Sequence, residues 1–438
     1  MPFDKQHGEI SPPLSRRSIA VIGAGISGMG AAHRLADTHK VTLFESGARL
    51  GGHARTVTAG KNGDQPVDTG FIVFNYANYP HLAALFKELD VPVVKSDMSF
   101  GASIDGGRLE YALHSIDSIF AQRKNALNPA FLRMVRDIVK FNKHAVRVAQ
   151  DQSLTIGGFI RVLGLGRYFR DYYLAPLSGA IWSTPTEKIM DFPAHAMVSF
   201  LDNHALLDYA GQHQWYTVQG GSTQYVQRLE AAMAAKGVDI RLNAAVQGVR
   251  RTETGAEVKS WGGDWEVFDE VVFATHSDDS LAMLTDADAA EQKALGAVKY
   301  QPNDVVLHAD ASVMPKRRKT WASWVYTEDR NAPSERIDLT YWMNSLQPIP
   351  QSDPHFVTLN TKRLIREELI YDQVTLRHPV YDLGALAAQK QVAAFNGTRG
   401  TWFCGAWMGH GFHEDGLASA MTVVDAIKGR AAPPLAAE

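Results

Sequence analysis

Residues 19–22 form an uninterrupted apolar run, Ile-Ala-Val-Ile, and residues 41–44 form another, Val-Thr-Leu-Phe. Runs this short and apolar suit strands of a parallel sheet covered on both faces. Small and apolar residues between them read as a helix, so the segment predicts strand, turn, helix, strand. A second group follows residue 218. Tyr225, Leu229, Ala232 and Met233 recur at helical spacing, Gly237 stops that helix, and 238–242, 245–249 and 266–273 read as strands. Residues 398–430 give a strand, a loop and a helix through Val423, Val424 and Ile427. Two stretches differ. Residues 80–215 look mostly helical, and Phe131, Met134, Val135, Ile138, Val139 and Asn142 mark one helix. Residues 295–395 mix strand-like runs, 304–308 and 356–360, with turns. The pattern predicts α/β elements over 18–79, 216–294 and 396–430, a mostly helical region over 80–215 and a sheet region over 295–395.

The first turn carries chemistry. Gly23, Gly25 and Gly28 give G-x-G-x-x-G between strand and helix. The first glycine permits the tight turn, the second lets a pyrophosphate approach the backbone, and the third lets the helix pack close to the strand. The helix start at Ile26 and Ser27 presents free N–H groups and a positive dipole end to an anion. Glu45 stands about 20 residues on, where a carboxylate accepts from ribose hydroxyls.

The next residues separate flavin from nicotinamide. Arg49-Leu50-Gly51-Gly52-His53-Ala54-Arg55-Thr56 resembles the R-x-G-G-R-x-x-T stretch of the flavin amine oxidase, protoporphyrinogen oxidase and phytoene desaturase superfamily, with His53 in place of the second arginine. Asp68-Thr69-Gly70-Phe71 is similar to its D-x-G element, and Gly220-Gly221 to the glycine pair before a helix. Residues 401–420, with Gly405 and His413-Glu414-Asp415-Gly416-Leu417, look like its last strand, loop and flavin-facing helix. Ala406 replaces a frequent acid, and His276 stands where relatives often have proline. The resemblance implies a Rossmann-type, glutathione-reductase-like FAD-binding domain assembled from 18–79, 216–294 and 396–430, with a helical cap and substrate region over 80–215 and a mixed α+β substrate domain whose sheet lies over 295–395. It places FAD contacts on Gly23, Gly25, Ile26, Ser27, Gly28, Glu45, Ser46, Arg49, Gly51, Gly52, His53, Thr69, Gly70, Phe71, Val246, Ala274, Gly405, Glu414, Asp415, Gly416 and Leu417. His413 and Glu414 are the expected catalytic polar groups. The chain is most similar to a bacterial subgroup known as predicted NAD/FAD-binding proteins. Members often accompany cyclopropane-fatty-acyl synthase-like enzymes, and some are implicated in modifying lipid acyl chains.

Composition narrows the rest. The 438 residues, 45% hydrophobic, suffice for two or three domains. A net charge of −3 gives no electrostatic case for nucleic acid. Cys404 is the only cysteine, so no internal disulfide forms, in keeping with a reducing compartment. Residues 1–17 lack the apolar stretch of a signal peptide, and no run approaches the roughly 20 apolar residues of a spanning helix. The expected location is cytoplasmic. Seven basic residues, Arg123, Lys124, Arg133, Arg136, Lys140, Lys143 and Arg147, accompany the helical pattern around Phe131 against one acid, Asp137. That suits either a solvated cap helix or a peripheral contact with an anionic membrane on its inner face. His195, His204, His213 and the pair His410 and His413 lack a matching carboxylate or cysteine set, so no metal is expected.

The expected function is an FAD-dependent oxidoreductase acting on a long apolar substrate, desaturating or isomerising a lipid fatty acyl chain. Trp215, Tyr216, Tyr300, Trp321, Trp324, Tyr326, Tyr341 and Trp342 would line an apolar tunnel. Two alternatives stand beside it. One is amine oxidation, with Lys299 as the lysine that amine oxidases hold near the flavin. The other is a non-catalytic FAD-binding partner of a lipid-modifying enzyme.

Overall fold

The computed structural model describes residues 16–151, 153–182, 188–203, 206–207, 213–329 and 336–431. Residues 1–15, His204 and the end of the Ala/Pro-rich tail lie outside them. The apolar runs at the amino end become adjacent central strands, Ser18–Ile22 and Lys40–Phe44, in a five-stranded parallel sheet. Its order is Asp239–Arg241, Lys40–Phe44, Ser18–Ile22, Glu270–Phe273, Thr401–Phe403. Three distant parts of the chain therefore build one sheet. Helices Ile26–Leu35, Thr223–Ala235 and His413–Ala431 belong to one face. A three-stranded antiparallel sheet of Val246–Arg251, Ala256–Ser260 and Trp265–Phe268 contributes to the core on the other.

The second domain is a seven-stranded sheet, in order Ile370–Val380, Lys299–His308, Phe356–Leu359, Asp338–Trp342, Trp324–Glu328, Phe100–Ile104, Leu109–Ala112. The last two strands come from the region expected to be a helical cap. They form an antiparallel hairpin around Gly106 and Gly107, and its first strand, Phe100–Ile104, pairs in parallel with Trp324–Glu328. Two other boundaries also move. Helix Pro80–Glu88 buries Leu82, Leu85 and Phe86 in the core of the parallel sheet's domain, not in the cap. Helix Leu383–Phe395 buries Ala385, Ala388 and Val392 beside Phe273 and Phe403, so it too leaves the substrate domain. In each case packing partners far along the chain decide the assignment.

The helices of the cap cover the second sheet. The longest, Pro129–Val148, starts with Asn128 accepting from Ala130 N and Phe131 N and with proline at the first helical position. It buries Phe131, Met134, Ile138 and Phe141 in the same core as Ala102, Tyr111 and Leu339. Truncating one such phenylalanine costs about 3–5 kcal/mol. Among the described residues no helix is long and apolar enough to cross a membrane.

Candidate functional site

The glycine turn lies at the carboxyl end of the first strand. A Cβ on Gly28 would sit 1.8 Å from the Gly23 carbonyl oxygen, so helix and strand approach only because that atom is missing. Gly25 differs. A Cβ there meets nothing within 4 Å, and its backbone is extended. The helix it begins has no side-chain cap. Its amino end therefore opens on free space with unpaired N–H groups, the arrangement an anion fills. The loop of residues 49–54 lies across this opening. A Cβ on Gly52 would come 3.0 Å from Gly25 Cα, and Gly51 N donates to Ala24 O at 2.8 Å. Arg49 donates to the carbonyls of Leu50, Gly52 and Ala54, so the guanidinium clasps its own loop and keeps its charge beside the opening.

Glu45 ends the second strand. It accepts from Ala24 N and Gly47 N, both at 2.8 Å, with Ser46 Oγ at 3.3 Å. Backbone bonds from Asn243 to Gly47 and from Ala244 to Glu45 bring the strand of Val246 alongside. Ala274 follows the adjacent strand; its carbonyl would be 2.9 Å from a Gly23 Cβ. An uncapped helix start before open space, a glycine cradle and a carboxylate at the neighbouring strand end suit an adenine dinucleotide.

The carboxyl-terminal helix points its first turn at the same place. A Cβ on Gly416 would come 2.8 Å from Ser27 Oγ, so two helix starts lie side by side. Gly405 precedes the loop into this helix, and its N–H donates to Ser419 Oγ. Leu417 packs its side chain against Gly30 in the core, which leaves only its backbone to face the cofactor. Thr69 N donates to Arg55 O and Phe71 N to His53 O, tying residues 69–71 to the glycine loop. A Gly70 Cβ would be 1.9 Å from that same His53 oxygen.

The expected catalytic pair separates, Glu414 into a helix cap and His413 onto the face of Phe71. Both oxygens of Glu414 accept backbone N–H groups, from His81 and Leu82 at 2.9 Å each. This carboxylate caps helix Pro80–Glu88 and is not placed as a base. Asp415 likewise holds its own loop, accepting from His410 N and Phe412 N. His413 stacks on Phe71 with ring centroids 4.0 Å apart and shares a 2.6 Å hydrogen bond between Nε2 and Tyr225 Oη. Burial pushes its pKa down to about 3, so the ring is neutral.

Asp68 forms a buried joint. Its carboxylate accepts from Thr56 Oγ1, from Ser222 N and Oγ at the start of helix Thr223–Ala235, and from Gln347 Nε2 of the second domain. Burial nevertheless raises its pKa to about 6.

A cluster that the sequence reading did not single out lies where the domains meet. His53 from the glycine loop, His276 after a parallel strand and His378 from the seven-stranded sheet come together. Ring centroids are 5.9 Å apart for His53 and His276, and 5.5 Å for His53 and His378. Burial is the first cause of a lowered pKa in all three, to about 3 for His276 and His378. Each still keeps a partly accessible surface, so these neutral rings line an internal recess with Phe71 and His413. Only the pairing of strands distant in sequence reveals the cluster.

His276, Asp278 and Asp279 also place ligand atoms within 4.8 Å of one another. Arg377 pairs with both aspartates, which supplies their cation without a metal. The aromatic tunnel divides. Trp321 and Trp342 flank the Arg318 guanidinium, and Trp215 and Tyr326 are buried. Tyr216, Tyr300, Trp324 and Tyr341 keep a partly accessible surface. Tyr300 stacks on His276 at 4.2 Å. Lys299 is exposed and donates to Gly296 O at 2.7 Å, so it does not enter the recess.

A family model described as flavin containing amine oxidoreductase matches residues 26–317. Coproporphyrinogen III oxidase of Mycobacterium leprae (strain TN) is 34% identical over 143 residues, 31% of this chain and 30% of that protein. The chain thus matches less than a third of the length of that curated relative. Among solved structures, a CLA-producing fatty acid isomerase from P. acnes shares the fold with a TM-score of 0.66 at 15% identity, over 96% of this chain and 99% of the other. Cyclohexylamine oxidase from Brevibacterium oxydans IH-35A gives 0.65 at 14% identity, over 95% and 99%.

Proposed function

The chain belongs to the family of flavin containing amine oxidoreductases, and from that premise we propose that it acts on a fatty acyl chain of a lipid, by desaturation or double-bond isomerisation. Its cofactor is FAD. Bound FAD supplies a two-electron acceptor for a substrate hydride. The protein's part is to hold the dinucleotide between two helix starts and to present an apolar chain in the recess at the domain junction.

The observation that carries this reading is the neutrality of the recess. Phe71, His53, His276, His378 and His413 offer rings without charge. The nearby acids are already engaged: Glu414 and Asp415 by backbone N–H groups, Asp278 and Asp279 by Arg377. A protonated amine would enter such a recess without a counter-charge, at a cost of several kcal/mol. An acyl chain pays no such cost. The shared fold does not choose, since proteins named for fatty acid isomerisation and for amine oxidation both have it. Incubating the FAD-loaded protein with oleoyl phosphatidylglycerol tests the reading. Loss of two hydrogens from the acyl product supports desaturation, and unchanged mass with a shifted double bond supports isomerisation. Unchanged lipid together with oxidised amine would refute it.

We also propose that helix Pro129–Val148 meets an anionic membrane. Its inner stripe lies in the core, but Leu132, Val139 and Val146, spaced by seven, are 43%, 49% and 41% exposed. Arg136, Lys143 and Arg147 stand exposed on the same helix and form no ion pair among the described residues. An outward apolar ridge among free cations suits the headgroup region, where each basic residue contributes about 1 kcal/mol.

A further inference from the structure

His378 has a hydrogen-bonding environment that fixes where its proton sits. Asp304 N–H donates to Asn360 Oδ1 at 2.9 Å, which orients the Asn360 amide. Asn360 Nδ2 then donates to Asn303 Oδ1 at 2.7 Å and to the Ile337 carbonyl at 3.2 Å. With its oxygen so engaged, Asn303 turns Nδ2 to the Gln301 carbonyl and to His378 Nδ1, the latter at 2.7 Å. Asn303 is fully buried and Asn360 nearly so, so water does not offer an alternative set of partners. The amide donor facing Nδ1 requires a lone pair there. A neutral imidazole with a lone pair at Nδ1 carries its hydrogen at Nε2.

That Nε2–H has no partner among the described residues, and His378 keeps a partly accessible surface at the recess. Two asparagines therefore hold a single hydrogen-bond donor at the junction of the two domains. The surroundings favour a neutral acceptor. His53 and His276 are the titratable rings beside it, both are neutral, and the Arg377 guanidinium is occupied by Asp278 and Asp279.

We propose that His378 Nε2–H binds a carbonyl oxygen of the molecule occupying the recess, with Asn303 and Asn360 as positioning residues that set the tautomer. This deepens the reading of the recess as the flavin and substrate site and rests on it. A carbonyl is present both on a flavin ring and on an acyl ester, and the experiment separates the two sources.

The decisive variant is Asn303→Asp. It keeps the acceptor for Asn360 but replaces the donor facing Nδ1 with an acceptor, so it should move the hydrogen from Nε2 to Nδ1. Imidazole nitrogen NMR of histidine-labelled apoprotein, assigned with His378→Gln, reads this directly. Wild type should show Nε2–H, and Asn303→Asp should show Nδ1–H. Binding of FAD and of methyl oleate is then measured for both proteins. A fall of roughly fivefold in FAD affinity with a shifted flavin spectrum marks the flavin carbonyl; this is a net hydrogen bond of about 1 kcal/mol. The same fall for methyl oleate, with FAD unaffected, marks the ester. His378→Gln, whose amide retains a donor near the Nε2 position, should bind within about twofold of wild type. Should Asn303→Asp fail to fold, His378→Phe removes the donor at similar volume. An Nδ1–H tautomer in wild type overturns the proposal. So do FAD and ester affinities that are both unchanged on removing the donor. The NMR result is independent of whether lipid is the substrate, so failure of the acyl reading is recognisable separately.

Discussion

Gly25 and Gly28 stand three residues apart in one motif, yet the structure assigns their substitutions opposite consequences. Gly25→Val places a side chain where a Cβ meets no atom within 4 Å, on backbone at φ −73° and ψ −177° that any residue adopts. The apoprotein should keep its stability to within about 0.5 kcal/mol, as for a substitution that disturbs no packing. The new side chain nevertheless fills the space before the uncapped helix start. Excluding a phosphate from two backbone N–H groups removes two charge-assisted bonds of about 1.5–3 kcal/mol each. FAD affinity should fall by roughly two to four powers of ten. Gly28→Ala instead drives a Cβ to 1.8 Å from the Gly23 carbonyl. Helix and strand must separate, at a cost of about 1–3 kcal/mol or more. Thermal unfolding of the two apoproteins, followed by FAD titration monitored by flavin fluorescence, tests both. Wild-type FAD affinity in Gly25→Val would refute the placement of the pyrophosphate. Unfolding of Gly25→Val as severe as that of Gly28→Ala would refute the reasoning about space.

Three further outcomes follow from the site. Asp68 has a folded-state pKa raised to about 6 from 3.8, so its contribution favours folding below 3.8 and is lost as pH rises through 6; the span is about 3 kcal/mol. Asp68→Asn should flatten that part of the stability profile in urea titrations between pH 4 and 7, and an unaltered slope would contradict the assignment. Glu414→Gln should cost about 1 kcal/mol through the cap of helix Pro80–Glu88 while turnover persists. Lost turnover at wild-type stability would restore a catalytic role. Reversing Arg136, Lys143 and Arg147 to glutamate should abolish salt-sensitive binding to phosphatidylglycerol vesicles while FAD content stays intact. Wild-type protein that ignores such vesicles at low salt would reduce the helix to a lid.

The parts of this molecule legible in its sequence are those whose cause is local. The run at 19–22, the glycines after it and Glu45 are close neighbours in the chain, and each constraint acts over one turn or one strand. The hairpin Phe100–Ile104 and Leu109–Ala112 is not legible locally, because its strands are short and the partner of its first strand, Trp324–Glu328, lies more than 200 residues on. Glu414 looked like a site acid because its neighbours resemble a flavin-facing helix. Its carboxylate is committed to a helix that begins at Pro80, a contact no local pattern encodes. His378 and Asn303 carry no motif. They meet because Lys299–His308 and Ile370–Val380 pair in one register, and a slip of one residue would turn their side chains to the other face. The aromatic-rich insert divides in a way no local pattern encodes, with Trp321 and Trp342 flanking Arg318 while Tyr300 stacks on His276.

We propose that this flavoprotein works on acyl lipid in a recess lined by neutral rings. Anaerobic mixing of the FAD-loaded protein with oleoyl phosphatidylglycerol and, in parallel, with putrescine and cyclohexylamine tests it most directly, with flavin absorbance and acyl products followed together. Bleaching of the flavin, or a shifted double bond at unchanged mass, is expected with the lipid and neither with the amines. Bleaching by an amine, with the lipid recovered unaltered, would contradict it.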